Sequence, residues 1–526
     1  MSYKPIQVDN KMQMSSALST MAPKGVNLRT PPQFLDVDQA LNIQNYEIED
    51  TGRLVKRLGL YNIYDSGTEA ITMFEQWTSD IWMVGFGTTL AYYTKSTGVL
   101  TNIKTDFSVN EEFSGKKYGD YFFLCNGVDK VWYMTISDLT TVTQIAASPA
   151  EANHMAVIGA RLFVSVNDSV RYSEIDDGTN PPFQTWTEGT LATDGGSVSY
   201  RNAGNVRSIV PLGANVVVFS DDGFYSFVIT LFDSAGTTSK TEDIANYVED
   251  FGGARGAIST EKGIFYTNEA GLWNLVSVGQ TDIPYSRQYS PVSYSLGNTY
   301  FDNADFTRCD LYYDQKKRVV YVTAGQGSQT NNVVLAYHTE YKAFYTITGW
   351  NISRFLNDNG VMYGASDAKT ALYKLFTGYT DDGLIIGTDY RQEISLGEVE
   401  YRKKLLGVYT QGFLSQSSLV KVRFDAYNEK GRITTDKLKY DWTAQYATGS
   451  GDGYNSAIYS SSVYGGDSDD SGLVECFDGA RPFISNLQRL QLHITSADEF
   501  PHVLTWVKLG ARIKSKCRVR TLSQTT

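Results

Sequence analysis

Arg161-Leu162-Phe163-Val164-Ser165-Val166, then Asn167-Asp168, then Ser169-Val170-Arg171-Tyr172-Ser173: two short apolar runs flank a two-residue polar turn. Asn and Asp tolerate the positive φ of tight turns and the runs are rich in β-branched and aromatic residues, so the stretch reads as a β-hairpin. The same pattern returns on both sides of it. Residues 80–86 pair with 89–93, 120–125 with 130–134, 215–220 with 224–229, 263–267 with 272–276, 311–313 with 319–323, and 361–365 with 371–376. The turns centre near Gly87, Gly127, Asn167, Asp222, Glu269, Gln315 and Asp367, a recurrence of about 47 residues, which is the size of a four-stranded propeller blade. The expected fold is all-β: a β-propeller of about six to eight blades, with two sandwiches of short strands as the alternative reading.

Composition agrees with that class. The chain has 526 residues, 42% hydrophobic and 20% charged, which places it among folded globular proteins. With 36 Tyr, 25 Phe and 8 Trp, and 46 Gly against 12 Pro, it favours pleated, turn-rich structure over helix. Tyrosine joins a wide apolar ring to a polar tip, so its abundance is expected to serve contacts between subunits. The formal charge of −12 argues against a protein that grips nucleic acid or anionic membrane by general electrostatics. Cys125, Cys309, Cys476 and Cys517 are too widely spread for a metal knuckle or a disulfide scaffold and read as isolated, reduced thiols. Residues 1–16 lack a basic region followed by an apolar one, and no long apolar run follows, so the expectation is a protein without a membrane anchor, made in a cytosol.

The hairpin period is confined to the middle of the chain. Residues 1–58 are polar and irregular and read as an extended N-terminal arm or cap; 59–390 hold the propeller; 391–526 form a C-terminal, β-sandwich-like region. Its cleanest strand spans 418–427, where Val420, Val422, Phe424 and Ala426 alternate with Leu419, Lys421, Arg423, Asp425 and Tyr427, as a strand with one buried and one wet face requires. A Gly/Ser/Asp-rich insertion at 449–472 interrupts it.

Catalytic motifs are scarce. His154, His338, His493 and His502 share no metal-binding spacing, and no phosphate loop or nucleophile elbow is present. Ser259-Thr260-Glu261-Lys262 fits a Ser-x-x-Lys pattern but leads into a hairpin and reads as a solvated turn. Ser220-Asp221-Asp222-Gly223 resembles an aspartate box of glycan-cleaving propellers, yet it occurs once and reads as a tight turn. No catalytic residues are assigned and no cofactor is required. A glycan-binding or glycan-degrading propeller would need carboxylates paired near the axis, which sequence cannot pair. The metal candidate is a calcium loop in which Asp467, Asp469, Ser471 and Asp478 stand at ligand-like spacing with Gly472 at the turn; its alternative is a solvated acidic stretch. Near the C-terminus Arg512, Lys514, Lys516, Arg518 and Arg520 occupy every second position. Such a stripe fits contact with a partner or with the phosphates of DNA in a channel, the alternative being a charged edge strand that resists aggregation.

Several stretches together resemble the tail nozzle proteins of short-tailed bacteriophages, also called tail tubular protein B or head-completion stabilisation proteins. The opening, from Gly25-Val26-Asn27 to Gly52-Arg53-Leu54-Val55-Lys56-Arg57-Leu58-Gly59, is similar to that family's arm and its Lys-Arg-x-Gly lead into the first blade. Gly159 to Ser165 with Val170-Arg171-Tyr172-Ser173-Glu174, Asn205 to Phe227 with Val216-Val217-Val218-Phe219-Ser220-Asp221, and Gly256-Ala257-Ile258 with Lys262-Gly263-Ile264-Phe265-Tyr266 resemble its successive blades. The likeness is one of order and texture over about residues 25–380, and no functional residue transfers with it. It implies a non-enzymatic virion protein assembled in the host cytoplasm. That protein would form a ring, as a hexamer, below the portal adaptor, extend the channel for double-stranded DNA, and support tail fibres or spikes.

Overall fold

The computed structural model describes residues 14–20, 24–36, 38–49, 51–108, 112–178, 181–200, 203–213, 215–234, 237–249, 256–277, 285–287, 291–297, 303–306, 308–395, 401–415, 418–428, 431–433, 439–443, 473–480, 484–487 and 489–516. Strands dominate these residues, and the helical content among them is two single 3-10 turns, Pro32–Phe34 and Tyr294–Leu296. The chain forms two compact units. One comprises Gly59–Ala336 and Thr348–Gly378; the other comprises Met1–Leu58, Tyr337–Ile347 and Tyr379–Thr526.

The first unit is a seven-bladed propeller. Blade 1 is Ile71–Gln76, Ile81–Phe86, Thr89–Thr94 and Val99–Lys104, and blade 2 is Ser114–Tyr118, Tyr121–Cys125, Trp132–Thr135 and Asp138–Gln144. Blade 3 runs Met155–Ile158, Arg161–Val166, Ser169–Tyr172, Gly196–Ser199; blade 4 runs Val206–Leu212, Asn215–Ser220, Gly223–Ser234, Thr237–Glu249. Blade 5 is Gly256–Thr260, Gly263–Asn268, Gly271–Ser277 and Tyr285–Arg287. Blade 6 starts from Leu311–Asp314, followed by Val319–Gln326 and Val333–His338. Blade 7 consists of Ile352–Asp358, Val361–Ser366, Thr370–Leu375 and, as its outermost strand, Leu60–Gly67 from the start of the unit. Each innermost strand touches the innermost strand of the next blade, and that of blade 7 touches that of blade 1, which closes the ring.

The second strand of a blade is nearly continuous in apolar residues because both of its faces are buried. In Tyr121–Cys125, Phe122 and Leu124 pack with Met73, Trp77 and Met83 of blade 1, whereas Phe123 and Cys125 pack with Met155, Leu162 and Val164 of blade 3. Val216 and Val218 likewise face blade 3 while Val217 and Phe219 face blade 5. Alternation along a strand thus assigns residues to two neighbours rather than to core and water. Part of the tyrosine content goes into the core. Tyr93, Tyr172, Tyr225, Tyr266 and Tyr321 are buried, and among the described residues Tyr61, Tyr294 and Tyr379 are the exposed tyrosines. An aromatic buried between blades removes about 150–250 Å2 from water, roughly 4–6 kcal/mol before entropy. Gly115 and Gly256 let neighbours close in: a Cβ on Gly115 would lie 2.6 Å from Phe122, and one on Gly256 2.5 Å from Leu311 of blade 6.

Closure joins residues distant in sequence. Leu60 pairs with Leu375 and Tyr64 with Leu372, and Gly59 exchanges backbone hydrogen bonds with Gly378 and Thr377 at 2.9 and 2.8 Å. Between blades 7 and 1, Ser353 Oγ donates to the Ile71 carbonyl at 2.5 Å. The Asp358 carboxylate accepts from Gln76 at 2.9 Å and from the Trp82 indole at 3.2 Å, and it pairs with Lys95.

The other unit contains two sheets. In one, Tyr46–Ile48, Leu54–Lys56, His502–Lys516, Tyr401–Ser415 and Leu473–Ala480 lie in that order, with Met14–Thr20 also on His502–Lys516 and Ile484–Leu487 on Tyr401–Ser415. In the other, Asn42–Gln44, Thr388–Ser395, Arg489–Ser496 and Leu419–Asn428 are consecutive. The N-terminal stretch read as an arm therefore supplies strands to both. Val420, Val422, Phe424 and Ala426 are buried as their alternation requires, against Leu490, Leu492 and Ile494. Arg57 is fully buried: its guanidinium donates to both Asp381 oxygens at 2.8 and 2.5 Å, and its Nε donates to Asn45 at 2.9 Å. Burial and the nearby Lys56 charge push the buried His502 down to about 3, so it stays neutral, within 2.9 Å of the Tyr46 hydroxyl.

Candidate functional site

The seven inner strands converge on a cavity of about 600 Å3. Its walls come mostly from the beginnings of those strands: Thr72 to Glu75 of blade 1, Glu112 to Lys116 of blade 2, Asn153 to Met155 of blade 3, Arg207 to Ile209 of blade 4, Gly256 and Ala257 of blade 5, Arg308 to Asp310 of blade 6, and Arg354 and Phe355 of blade 7. Met73, Phe74, Phe113, Met155, Ile209 and Phe355 supply the apolar part of a lining that is mostly polar. Set into that lining are four cations, Lys116, Arg207, Arg308 and Arg354, and three carboxylates, Glu75, Glu112 and Asp310.

Ion pairs tie these groups together across blades. Lys116 of blade 2 pairs with Glu75 of blade 1, and Arg354 of blade 7 reaches Glu112 at the start of blade 2. Burial depresses the Lys116 ammonium, but the charge and hydrogen bond of Glu75 outweigh it and the net direction is upward. Burial lowers Arg354 to about 10, against the opposing charges of Asp367 and Glu75, so it remains cationic at neutral pH. Arg207 and Arg308 are held from behind, the first by Asp221 at 2.5 Å and the second by the buried Asp367 at 3.2 Å. Asp367 spends its other oxygen on the backbone N–H of Asn331 at 2.7 Å. Asp310 accepts the Phe355 N–H at 2.7 Å, linking blades 6 and 7. Burial, helped by the Glu75 charge and opposed by that hydrogen bond and by Lys116, raises its carboxyl to about 7.

Other positions singled out in the sequence fall elsewhere. Asp221 of Ser220-Asp221-Asp222-Gly223 accepts the Asn205 N–H at 3.0 Å as well as Arg207, and so fixes a turn. In Ser259-Thr260-Glu261-Lys262, Thr260 caps the turn at the Lys262 N–H and Glu261 accepts the Tyr313 hydroxyl at 2.8 Å. Of the calcium loop, Asp467, Asp469 and Ser471 lie outside the described residues, and Asp478 sits on Leu473–Ala480 opposite Thr410. No group of His, Cys, Asp and Glu that could hold a metal occurs among the described residues. Of the cationic stripe, Arg518 and Arg520 lie outside the described residues, whereas Arg512, Lys514 and Lys516 end the strand His502–Lys516. At Arg512 the strand is not an edge. Arg512 is opposite Lys404 on one side and Met14 on the other, because the N-terminal strand covers what would have been the edge. Cys125 and Cys309 are free and buried.

The axial residues escaped sequence reading because each blade gives only a few of them, just ahead of or early in a strand, with no spacing in common. Only the blade register brings them together.

Fold and cavity define a seven-bladed β-propeller protein with a second β unit. No family model and no curated protein matches the chain. It is similar to the solved structure of YCF48 bound to a D1 peptide, at 11% identity and a TM-score of 0.40, over 64% of this chain and 97% of that one. It is similar to a computationally designed protein at 11% identity and a TM-score of 0.36, over 60% and 99%. The extracellular domain of a hybrid two-component system from B. thetaiotaomicron is a third, at 12% identity and a TM-score of 0.43, over 66% of this chain and 42% of that one.

Proposed function

We propose that the chain is a non-enzymatic, ring-forming component of a short bacteriophage tail, the nozzle below the portal adaptor. Such a ring is assembled in the host cytoplasm, conducts the genome in the virion and bears fibres or spikes. Beside the likeness in its sequence, the observation that carries this reading is the outer hairpin of blade 4. Its strands, Gly223–Ser234 and Thr237–Glu249, run 12 and 13 residues, against 8 at most in any other strand of the propeller among the described residues. Leu231, Phe232 and Ile244 on it are 53, 47 and 43% exposed.

Register assigns these side chains to faces. Phe232 is opposite Ser239, which bridges to the exposed Leu191, so Phe232 and Leu191 share one face. Leu231 is opposite Lys240 and Ile244 opposite Phe227, which places both on the other face. A hairpin apolar on both sides and partly open along its outer strand is an aggregation site unless something covers it. Head-to-tail contacts between copies, the kind that close into rings, would cover both faces.

DNA would follow the ring axis rather than the propeller axis. A cavity of about 600 Å3 is of small-molecule size, and a duplex whose major groove alone is about 12 Å wide does not thread it. Light scattering of the purified full chain, alone and with the adaptor, tests the proposal. A six-fold ring is expected, and Phe232→Lys with Leu231→Lys should block it while leaving the melting temperature unchanged. A chain that stays monomeric with the adaptor present overturns it, and release of reducing sugar from a glycan would favour the glycan-degrading alternative.

A further inference from the structure

We propose that the axial cavity of the propeller is a binding site for a small molecule carrying an oxyanion group, a carboxylate or a phosphate. Three features of the cavity converge on this chemistry. Its volume and mixed lining suit a small ligand with an apolar or sugar-like body, the apolar share coming from Met73, Phe74, Phe113 and Phe355. Its cations outnumber its carboxylates, in a protein whose formal charge is −12. Above all, it has spare donors. A guanidinium carries five N–H groups, and among the described residues Arg308 donates through Nη1 alone, to Asp367, while its side chain is 45% exposed.

Asp367 makes Arg308 a fixed donor rather than a mobile surface charge. Being 1% exposed and anchored to Asn331, it holds the Arg308 guanidinium from behind and leaves the remaining N–H groups for a ligand. Fixed, planar pairs of N–H groups match the two oxygens of a carboxylate or phosphate. Arg354 lies on the same wall, with Nη1 on the Ser353 carbonyl at 2.7 Å and Nη2 on Glu112. Glu112 competes with any incoming anion for Arg354. Asp310 adds a carboxyl that is half neutral near pH 7 and can donate to a ligand oxygen.

Calorimetry on the full chain at constant ionic strength tests the site, with sodium glucuronate and inorganic phosphate as probes and glucose as the neutral control. Saturable binding of glucuronate alone identifies a carboxylate ligand, of phosphate alone a phosphate ligand, and of both a general oxyanion site. Glucose should give no heat. Arg308→Gln should weaken binding at least tenfold, whereas Glu112→Gln should tighten it by freeing Arg354, a gain that a folding defect would not produce. Absence of saturable binding by either anion, or affinities that neither substitution changes, overturns the proposal. Neither result bears on ring formation, which is read separately by mass.

Discussion

Replacing Asp358 by Ala should loosen the propeller at one seam, between blades 7 and 1. Closing a loop of roughly 310 residues between Leu60 and Leu375 costs about 5 kcal/mol by chain statistics, so the seam has to supply at least that much. Asp358 is 3% exposed and receives Gln76 at 2.9 Å, the Trp82 indole at 3.2 Å, and Lys95. Without it, Trp82 Nε1, in a side chain 1% exposed, is left without an acceptor, a loss of about 1–3 kcal/mol. The Gln76 bond adds about 1 kcal/mol. Lys95 is 25% exposed and can rehydrate, so its pair adds less than about 1 kcal/mol. The total is about 3 kcal/mol. For a unit of roughly 300 residues, an unfolding entropy of about 2.1 cal/mol/K per residue converts this to a drop of about 5 °C. Asp358→Asn keeps an acceptor for one donor and should lose about half as much. Scanning calorimetry gives the shift, and hydrogen exchange should locate it by lost protection in 60–67 and 71–76. Asp106→Ala removes an exposed pair with Lys104 and serves as the control. A drop under 1 °C for Asp358→Ala, or exchange changes spread evenly over all blades, would refute the account.

In the second unit, Arg57→Ala should destabilise by about 3–5 kcal/mol, because it strands the Asp381 carboxylate among buried groups. Arg57→Lys should recover little, since an ammonium cannot serve both Asp381 oxygens and Asn45 in this fork; full recovery in thermal denaturation would count against the geometry. Asp310→Asn should change the pH profile. The carboxyl is raised from 3.8 to about 7, so the folded chain holds a proton that the unfolded chain releases, and this contribution to stability is lost as pH rises from about 4 to about 7. Of the groups around it, Lys116, held upward by Glu75, and Arg354, lowered by burial to about 10, stay cationic across that range. The variant should therefore gain on the wild type between pH 5 and pH 8, and an equal melting difference at both values would contradict the assignment.

What could be read in the sequence follows from how a blade is buried. The central strand pairs of blades 1 to 5 and of blade 7 were legible because two strands buried on both faces are joined by a short polar turn. Blade 6 was read one strand out of step. The hairpin seen in sequence, Leu311–Asp314 with Val319–Gln326, is its first and second strands. Its true central pair is interrupted by Gly327-Ser328-Gln329-Thr330-Asn331-Asn332, a linker too long to look like a turn. That linker is structural, since Asn331 Nδ2 donates to the carbonyls of Arg308 and Ile352, both at 2.9 Å. The extension of blade 4 past Ile229 was not legible because an exposed hairpin keeps no alternation of apolar and polar residues. The grouping of Tyr337–Ile347 with the chain ends left no local signature either, because it is set by long-range pairing such as Gln44 with Thr346.

The residues that carry the likeness to tail nozzles have internal roles. Arg57 is locked between Asp381 and Asn45. Arg161 donates to the carbonyls of Ser173 and Asp194, each at 2.6 Å, and Ser173 Oγ accepts the Leu162 N–H at 3.1 Å. Asp221 fixes Asn205 and Arg207. Each ties a turn or a strand end to its own unit, so a likeness built on them conveys architecture and no chemistry. It also stops short of the surface that an assembly would use. The matching stretch through blade 4 ends at Phe227, and the exposed Leu231, Phe232 and Ile244 all lie beyond it. Substitutions within the matching stretches should therefore lower stability in both units whatever the protein does. Those in the hairpin should leave stability intact and alter only assembly, which makes blade 4 the place where the nozzle reading stands or falls.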